Sequence, residues 1–92
     1  MKKFTISGKV FVWPGEVGRH FVYVQKNIVK KIKKMHSRGF VKIQATLGKT
    51  IWQTSLFPYK KEETFLLALK KNVRQKECIF DGDLVKVKIE LL

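Results

Sequence analysis

The sequence predicts a mainly β domain, a small closed or half-closed barrel with two short α-helices in the order β-β-α-β-β-β-α-β. Three observations carry this. Most of the chain alternates apolar and polar residues with the period of a strand, and only two short stretches change to helical spacing. Its 92 residues suffice for one hydrophobic core, so residues 1–92 form a single domain. Many short strands leave unpaired edges unless their sheet curls on itself.

The elements follow in chain order. In "KFTISGKVFVW" Phe4, Ile6, Val10 and Val12 alternate, which predicts one strand. Gly8 marks a bulge or a close approach of backbones within it, and Pro14-Gly15 is the turn that ends it. "RHFVYV" is β-branched and aromatic, hence a second strand. In "KNIVKKIKKMH" the period changes: Ile28, Ile32 and Met35 fall on one helical face, and Val29 widens it. Lys26, Lys30, Lys33 and Lys34 lie across the opposite face, with Lys31 at its edge; Asn27 suits the N-cap or first turn. "FVKIQATL" places Val41, Ile43, Ala45 and Leu47 on one side and Lys42, Gln44 and Thr46 on the other. Gly48-Lys49 reads as a two-residue hairpin link with glycine first, the type II′ preference. "TIWQTSLF" pairs back, and Pro58 is expected to stop that strand because proline cannot donate to a ladder. "YKKEE" is a charged loop and "TFLLALK" a buried strand. "KNVRQKECIF" makes one to two helical turns, Asp81-Gly82-Asp83 a tight turn, and "LVKVKIEL" the last alternating strand.

The chain also echoes itself. Val22-Tyr23-Val24 aligns with Leu67-Ala68-Leu69, and Lys26-Asn27-Ile28 with Lys71-Asn72-Val73. With one residue of slack in the turn, Phe40-Val41-Lys42-Ile43 aligns with Leu84-Val85-Lys86-Val87. Element order and apolar phase agree along with the letters. Two strand–helix–strand units related by a pseudo-two-fold axis, each completing the other's barrel, are therefore expected, and a monomer would suffice.

Charge narrows the function classes. Twenty Lys+Arg face seven Asp+Glu, a formal net charge of +13. Such a surface favours polyanions: nucleic acid, acidic lipid or another acidic partner. Only Arg19, Arg38 and Arg74 are arginine, the residue suited to bidentate phosphate and base contacts. The lone Cys78 excludes an intrachain disulfide, and two histidines with one thiol give no zinc spacing, so no metal or cofactor is expected. The N-terminal lysines are not followed by a signal-peptide apolar run, and no stretch has the length of a membrane span. A cytoplasmic protein without membrane contact is expected.

"QTSLFP" followed by "LLALKKNVRQKECIFDGDLVKVKIEL" resembles the prokaryotic family named domain of unknown function nineteen-oh-five. The resemblance rests on Ser55-Leu56-Phe57-Pro58, on Lys70 to Arg74, on Gly82-Asp83 and on the alternating last strand. "FVYV" before a helix and "ATLGKTIWQTS" fit the family's centre. The resemblance implies a small barrel of the double-split type. The strand–helix–Gly-Asp–strand unit is also similar to the swapped-hairpin units of AbrB- and MazE-like DNA-binding proteins, which build their barrel from two chains; here both units sit in one. Gln25 stands where family strands often meet the first helix through proline. Some relatives carry a further segment linked by name to bacteriocin protection, which is not expected beyond Leu92.

Chemistry is sparse. A catalytic constellation needs a nucleophile with a base, or convergent carboxylates. His20 reads as a residue beside a strand and His36 as one at a helix end. Cys78 reads as a small buried thiol, Asp81 and Asp83 as a turn, and Glu62-Glu63 as a solvated loop. No catalytic residue and no small-molecule substrate emerge, and a non-enzymatic binding domain is expected. Its candidate nucleic-acid-binding residues are Lys26, Lys30, Lys33, Lys34 and Arg38. Trp13, Tyr23, Trp52 and Tyr59 are candidates for stacking on bases, although a small barrel is expected to keep most aromatics inside. The alternative is a protein-interaction or small-ligand-binding barrel whose positive charge serves solubility.

Overall fold

The computed structural model describes residues 3–13, 19–35 and 39–92. Its elements are β1 (Lys3–Lys9), β2 (Phe11–Val12), β3 (His20–Tyr23), α1 (Lys26–Met35), β4 (Val41–Leu47), β5 (Thr50–Tyr59), a 3₁₀ turn (Lys60–Glu62), β6 (Thr64–Leu69), α2 (Lys71–Glu77) and β7 (Leu84–Leu91). The strands join in the order β1-β7-β4-β5-β6-β3-β2, each neighbouring pair antiparallel. The result is a half-closed barrel made of two half-sheets. One contains β1, β7, β4 and the start of β5; the other contains the end of β5, β6, β3 and β2. The chain crosses between them along β5 and again at Val10.

Alternation dictates what fills the interior. Ile6, Val22, Ile43, Leu56, Leu67, Val87 and Ile89 point inward and are buried. Ile28, Val29 and Ile32 of α1 and Val73 of α2 join the same cluster, so each helix packs its apolar stripe onto the barrel. Each such side chain contributes about 1.5–3 kcal/mol by leaving water. Met35, at the end of the α1 stripe, is instead exposed.

The strand registers display the internal symmetry. Val22 lies opposite Leu67 across β3 and β6, and Ala45 lies opposite Ile89 across β4 and β7. These are the residues that the repeat sets equivalent. When two equivalent strands pair antiparallel about a two-fold axis, equivalent residues meet on that axis. One axis through both pairs accounts for the two registers together, including the residue of slack in the turn.

Several local expectations change. The first predicted strand is two, broken at Val10 rather than bulged at Gly8. Val10 donates its N–H to the Asp83 carbonyl at 2.8 Å and accepts the Gly82 N–H at 2.8 Å, so it belongs to the β7 turn. Gly8 stays in register opposite Val85. Its role is the close approach: a Cβ there would meet Val22 Cγ1 at 2.7 Å, where β1 passes over β3. Pro58 does not stop β5, which runs on to Tyr59 with Pro58 opposite Phe65. Pairing with β4 ends at Leu56, so beyond it one edge of β5 needs no donor, the place in a sheet where proline is tolerated. The turn at Pro14-Gly15 lies outside the described residues.

Gly48 has φ +59° in the β4–β5 hairpin, as a glycine-first link requires. Glu77 of α2 lies against it and accepts the Thr50 hydroxyl proton at 2.7 Å, tying α2 to the hairpin. α2 ends at Cys78, which takes a left-handed conformation (φ 54°) and is exposed rather than buried. Cys78 and Ile79 both donate their N–H to the Arg74 carbonyl, which turns buried Ile79 inward. The Asp81–Asp83 segment is the predicted turn, with Gly82 at φ +91° and the Asp83 carboxylate accepting the Phe80 N–H at 2.8 Å.

Candidate functional site

α1 begins where Gln25 leaves β3. The Gln25 carbonyl accepts the N–H groups of Ile28 and Val29, and its side-chain oxygen accepts the Ser7 N–H at 3.1 Å. That contact fixes the helix start against β1, and Asn27 falls in the first turn. With Ile28, Val29 and Ile32 held in the core, the opposite face must point to water. Lys26, Lys30, Lys31, Lys33 and Lys34 are all exposed on it. Lys33 and Lys34 sit in the last turn, where the helix dipole favours cations. The helix contains no acidic residue.

Lys26 differs from the rest. Its ammonium donates to the Glu62 carbonyl and, at 3.5 Å, to the Glu63 carbonyl, so it caps the 3₁₀ turn. Lys30, Lys33 and Lys34 continue the exposed face one and two turns farther on. Arg38 lies outside the described residues, as does His36. Four of the five candidate cations thus share one helix face, and one of those four also serves the fold.

The aromatic residues are not mainly inside. Phe11, Trp13, Phe21, Tyr23, Phe57 and Tyr59 all point outward from the half-sheet of β2, β3, β6 and β5. Phe11 and Tyr23 stack with centroids 4.7 Å apart; Trp13 meets Tyr59 edge-on at 5.3 Å and Phe21 at 5.7 Å. Phe40 extends the cluster through Phe57 at 5.0 Å. Phe21 is buried beneath its neighbours, whereas Tyr23 and Phe40 are 41% and 66% exposed. Of the four stacking candidates, Trp13, Tyr23 and Tyr59 come together here. Trp52 packs on the core instead, with its buried indole N–H unpartnered among the described residues.

The two surfaces meet. An open cleft of about 330 Å³ runs between Tyr23 and Lys26, with Glu62 and Thr64 on its other walls. The Thr64 hydroxyl donates to the Val24 carbonyl at 2.8 Å and holds this corner together. Partial burial, then the nearby Tyr59 and Glu62, raise the Tyr23 phenol above its ordinary pKa of 10.0. At the far edge the Arg19 guanidinium lies over the Phe21 ring, 5.5 Å from its centroid. Phe11, Phe21, Phe40 and Phe57 were not among the stacking candidates drawn from sequence. Their signal is parity: Lys3, Thr5, Ser7, Lys9, Phe11 and Trp13 form one series, and Gln53, Ser55, Phe57 and Tyr59 another. Both turn aromatic at the crossing between half-sheets.

Other sequence candidates stay apart. His20 lines an open cleft with Lys71, Arg74 and Cys78 beside α2. Among the described residues no three His, Cys, Asp or Glu side chains gather as a metal site, and no helix is long and apolar enough to cross a membrane.

Fold and surface define a class: a small, strongly basic half-barrel with two helices and an internal two-fold, carrying one lysine face and one aromatic face. The chain belongs to the family described as Domain of unknown function (DUF1905), whose pattern matches residues 7–89. Among curated proteins none matches it.

Proposed function

We propose that this domain is a non-enzymatic module that binds nucleic acid, with Lys30, Lys33 and Lys34 of α1 contacting phosphates and Lys26 at the edge of the site. The supporting observation is the helix itself. Its apolar stripe is locked into the core, so its cations are presented from a rigid element with no acid among them. Phosphate contacts of this kind position the ligand and carry little sequence information. They also release counterions, so affinity must fall as salt rises.

Fluorescence anisotropy of a labelled oligonucleotide across a salt series tests this. Affinity should decline log-linearly with salt, and K30A/K33A/K34A should make the slope shallower by about 2, at about 0.7 per lost single-strand contact. Absence of binding at low salt, or a slope unchanged in the triple variant, contradicts the proposal.

A further inference from the structure

The aromatic face is unexplained by folding alone. A barrel of this size already has its core, and the rings of Tyr23 and Phe40 lie on the other side of the sheet, well exposed. Contiguous apolar surface of this kind on a small domain marks an interaction site. We infer that this face is a stacking platform for unpaired bases, and that the ligand of the domain is single-stranded nucleic acid. The inference rests on the nucleic-acid reading above and names its substrate class.

Charge selects the occupant. The face is bordered by Arg19 over Phe21 on one side and by Lys26 across the cleft from Tyr23 on the other. Beyond Lys26 the lysine face of α1 continues. Among the described residues the acids at this border are Glu62 and Glu63, which share their turn with Lys60 and Lys61, so the surplus these residues leave along it, with Arg19 and Lys26, is positive. An aromatic floor with a cationic rim matches a strand that offers π-faces in its middle and phosphates along its length. A duplex stacks its bases on one another and hides those faces, so it could use only the lysines.

The ring composition argues the same way. Bases of any sequence have a π-face, so stacking tolerates sequence, and phosphate contacts do too. A domain built from these two contacts binds single strands broadly rather than reading one motif.

The test compares a single-stranded oligonucleotide of roughly a dozen nucleotides with its duplex, using the full chain. Tyr23→Leu keeps apolar area but removes the ring, at a position exposed enough to spare the fold; circular dichroism checks that. The expected result is tighter binding to the single strand than to the duplex, and a loss of about 5- to 100-fold for the single strand in Tyr23→Leu with duplex binding unchanged. Equal affinity for both forms, with Tyr23→Leu binding like the parent while K30A/K33A/K34A binds weakly, overturns the platform and leaves the nucleic-acid reading standing. No binding to either form at low salt removes both. Sedimentation that shows a dimer dissolved by Tyr23→Leu, with nucleic-acid binding unaffected, assigns the face to a second copy and likewise overturns the inference.

Discussion

The outer faces of the two half-sheets are built on one barrel and one core, yet one is mostly polar, with Leu84 and Ile51 as its exposed apolar residues, and the other is mostly aromatic. On the half-sheet of β1, β7 and β4 the outward residues include Lys3, Thr5, Ser7, Lys9, Lys42, Gln44, Lys86 and Lys88. On the half-sheet of β2, β3 and the end of β5 they are Phe11, Trp13, Phe21, Tyr23, Phe57 and Tyr59. Both faces border water, so solubility cannot explain the second. Each crossing strand changes character where it changes sheet, from Lys9 to Phe11 and from Ser55 to Phe57. The pseudo-two-fold axis relates those crossings, so the aromatic end of each crossing strand is repeated in both halves of the chain, whereas the β6 equivalents of Phe21 and Tyr23 are Leu66 and Ala68. The lysine helix is not: α1 has no acid, whereas α2 contains Glu77, which is turned to the hairpin.

The largest expected effect separates the faces by stability. Phe21→Ala, which removes a buried ring beneath the aromatic surface, should cost about 3–5 kcal/mol in urea unfolding. Lys86→Ala, outward on the other face, should stay within about 0.5 kcal/mol. Similar costs for the two would mean that the aromatic side is no more packed than the polar one. Next comes the crossing itself. Gly8→Ala forces a methyl group against Val22 and should destabilise by about 1–3 kcal/mol, measured in the same way; a neutral result would show that β1 and β3 can separate there. Away from both faces, Cys78→Gly should raise stability by about 1 kcal/mol, because glycine takes the left-handed conformation without penalty. An unchanged or lowered midpoint would argue against that strain.

The smallest effect is a titration. Tyr23 is raised above 10.0 because partial burial and its Tyr59 and Glu62 neighbours disfavour the phenolate. A raised folded pKa favours the protonated form, so its contribution to stability is full below pH about 10 and lost as pH rises through the folded value. Ultraviolet titration of the parent against Tyr23→Phe should show the lost transition above the ordinary tyrosine range. A transition at or below that range would place Tyr23 in water, off the aromatic cluster.

Much of this architecture was legible in the sequence, and the exceptions have a common physical cause. Strands with one polar side, such as Val41–Leu47 and Leu84–Leu91, revealed which residues share a face, and the Gly48-Lys49 link revealed the hairpin of the first with the strand after it. The echo between Val22–Ile43 and Leu67–Val87 pointed to a two-fold arrangement, and the registers of β3 with β6 and of β4 with β7 fit it. Alternation says which residues share a face but not which face is inside. In β3, Phe21 and Tyr23 compete with Val22 and Val24, and both sets are apolar. In β6 the run Phe65 to Leu69 is apolar throughout for the same reason: its inner side meets the core and its outer side lies under rings. Thus the lysine face was readable from helical spacing alone, while the aromatic face needed the fold. The break at Val10 and the passage of β5 through Pro58 were hidden because each depends on which neighbour a strand has at that point.

The most direct measurement is a map of ligand contacts on the whole domain. Amide and side-chain NMR shifts are recorded as a short single-stranded oligonucleotide is added at low salt. Shifts should concentrate on Trp13, Tyr23, Phe57 and Tyr59 and on Lys26 to Lys34, leaving Lys42, Lys86 and Lys88 unmoved. Shifts centred on those three lysines, with the aromatic resonances unchanged, would contradict the single-strand reading.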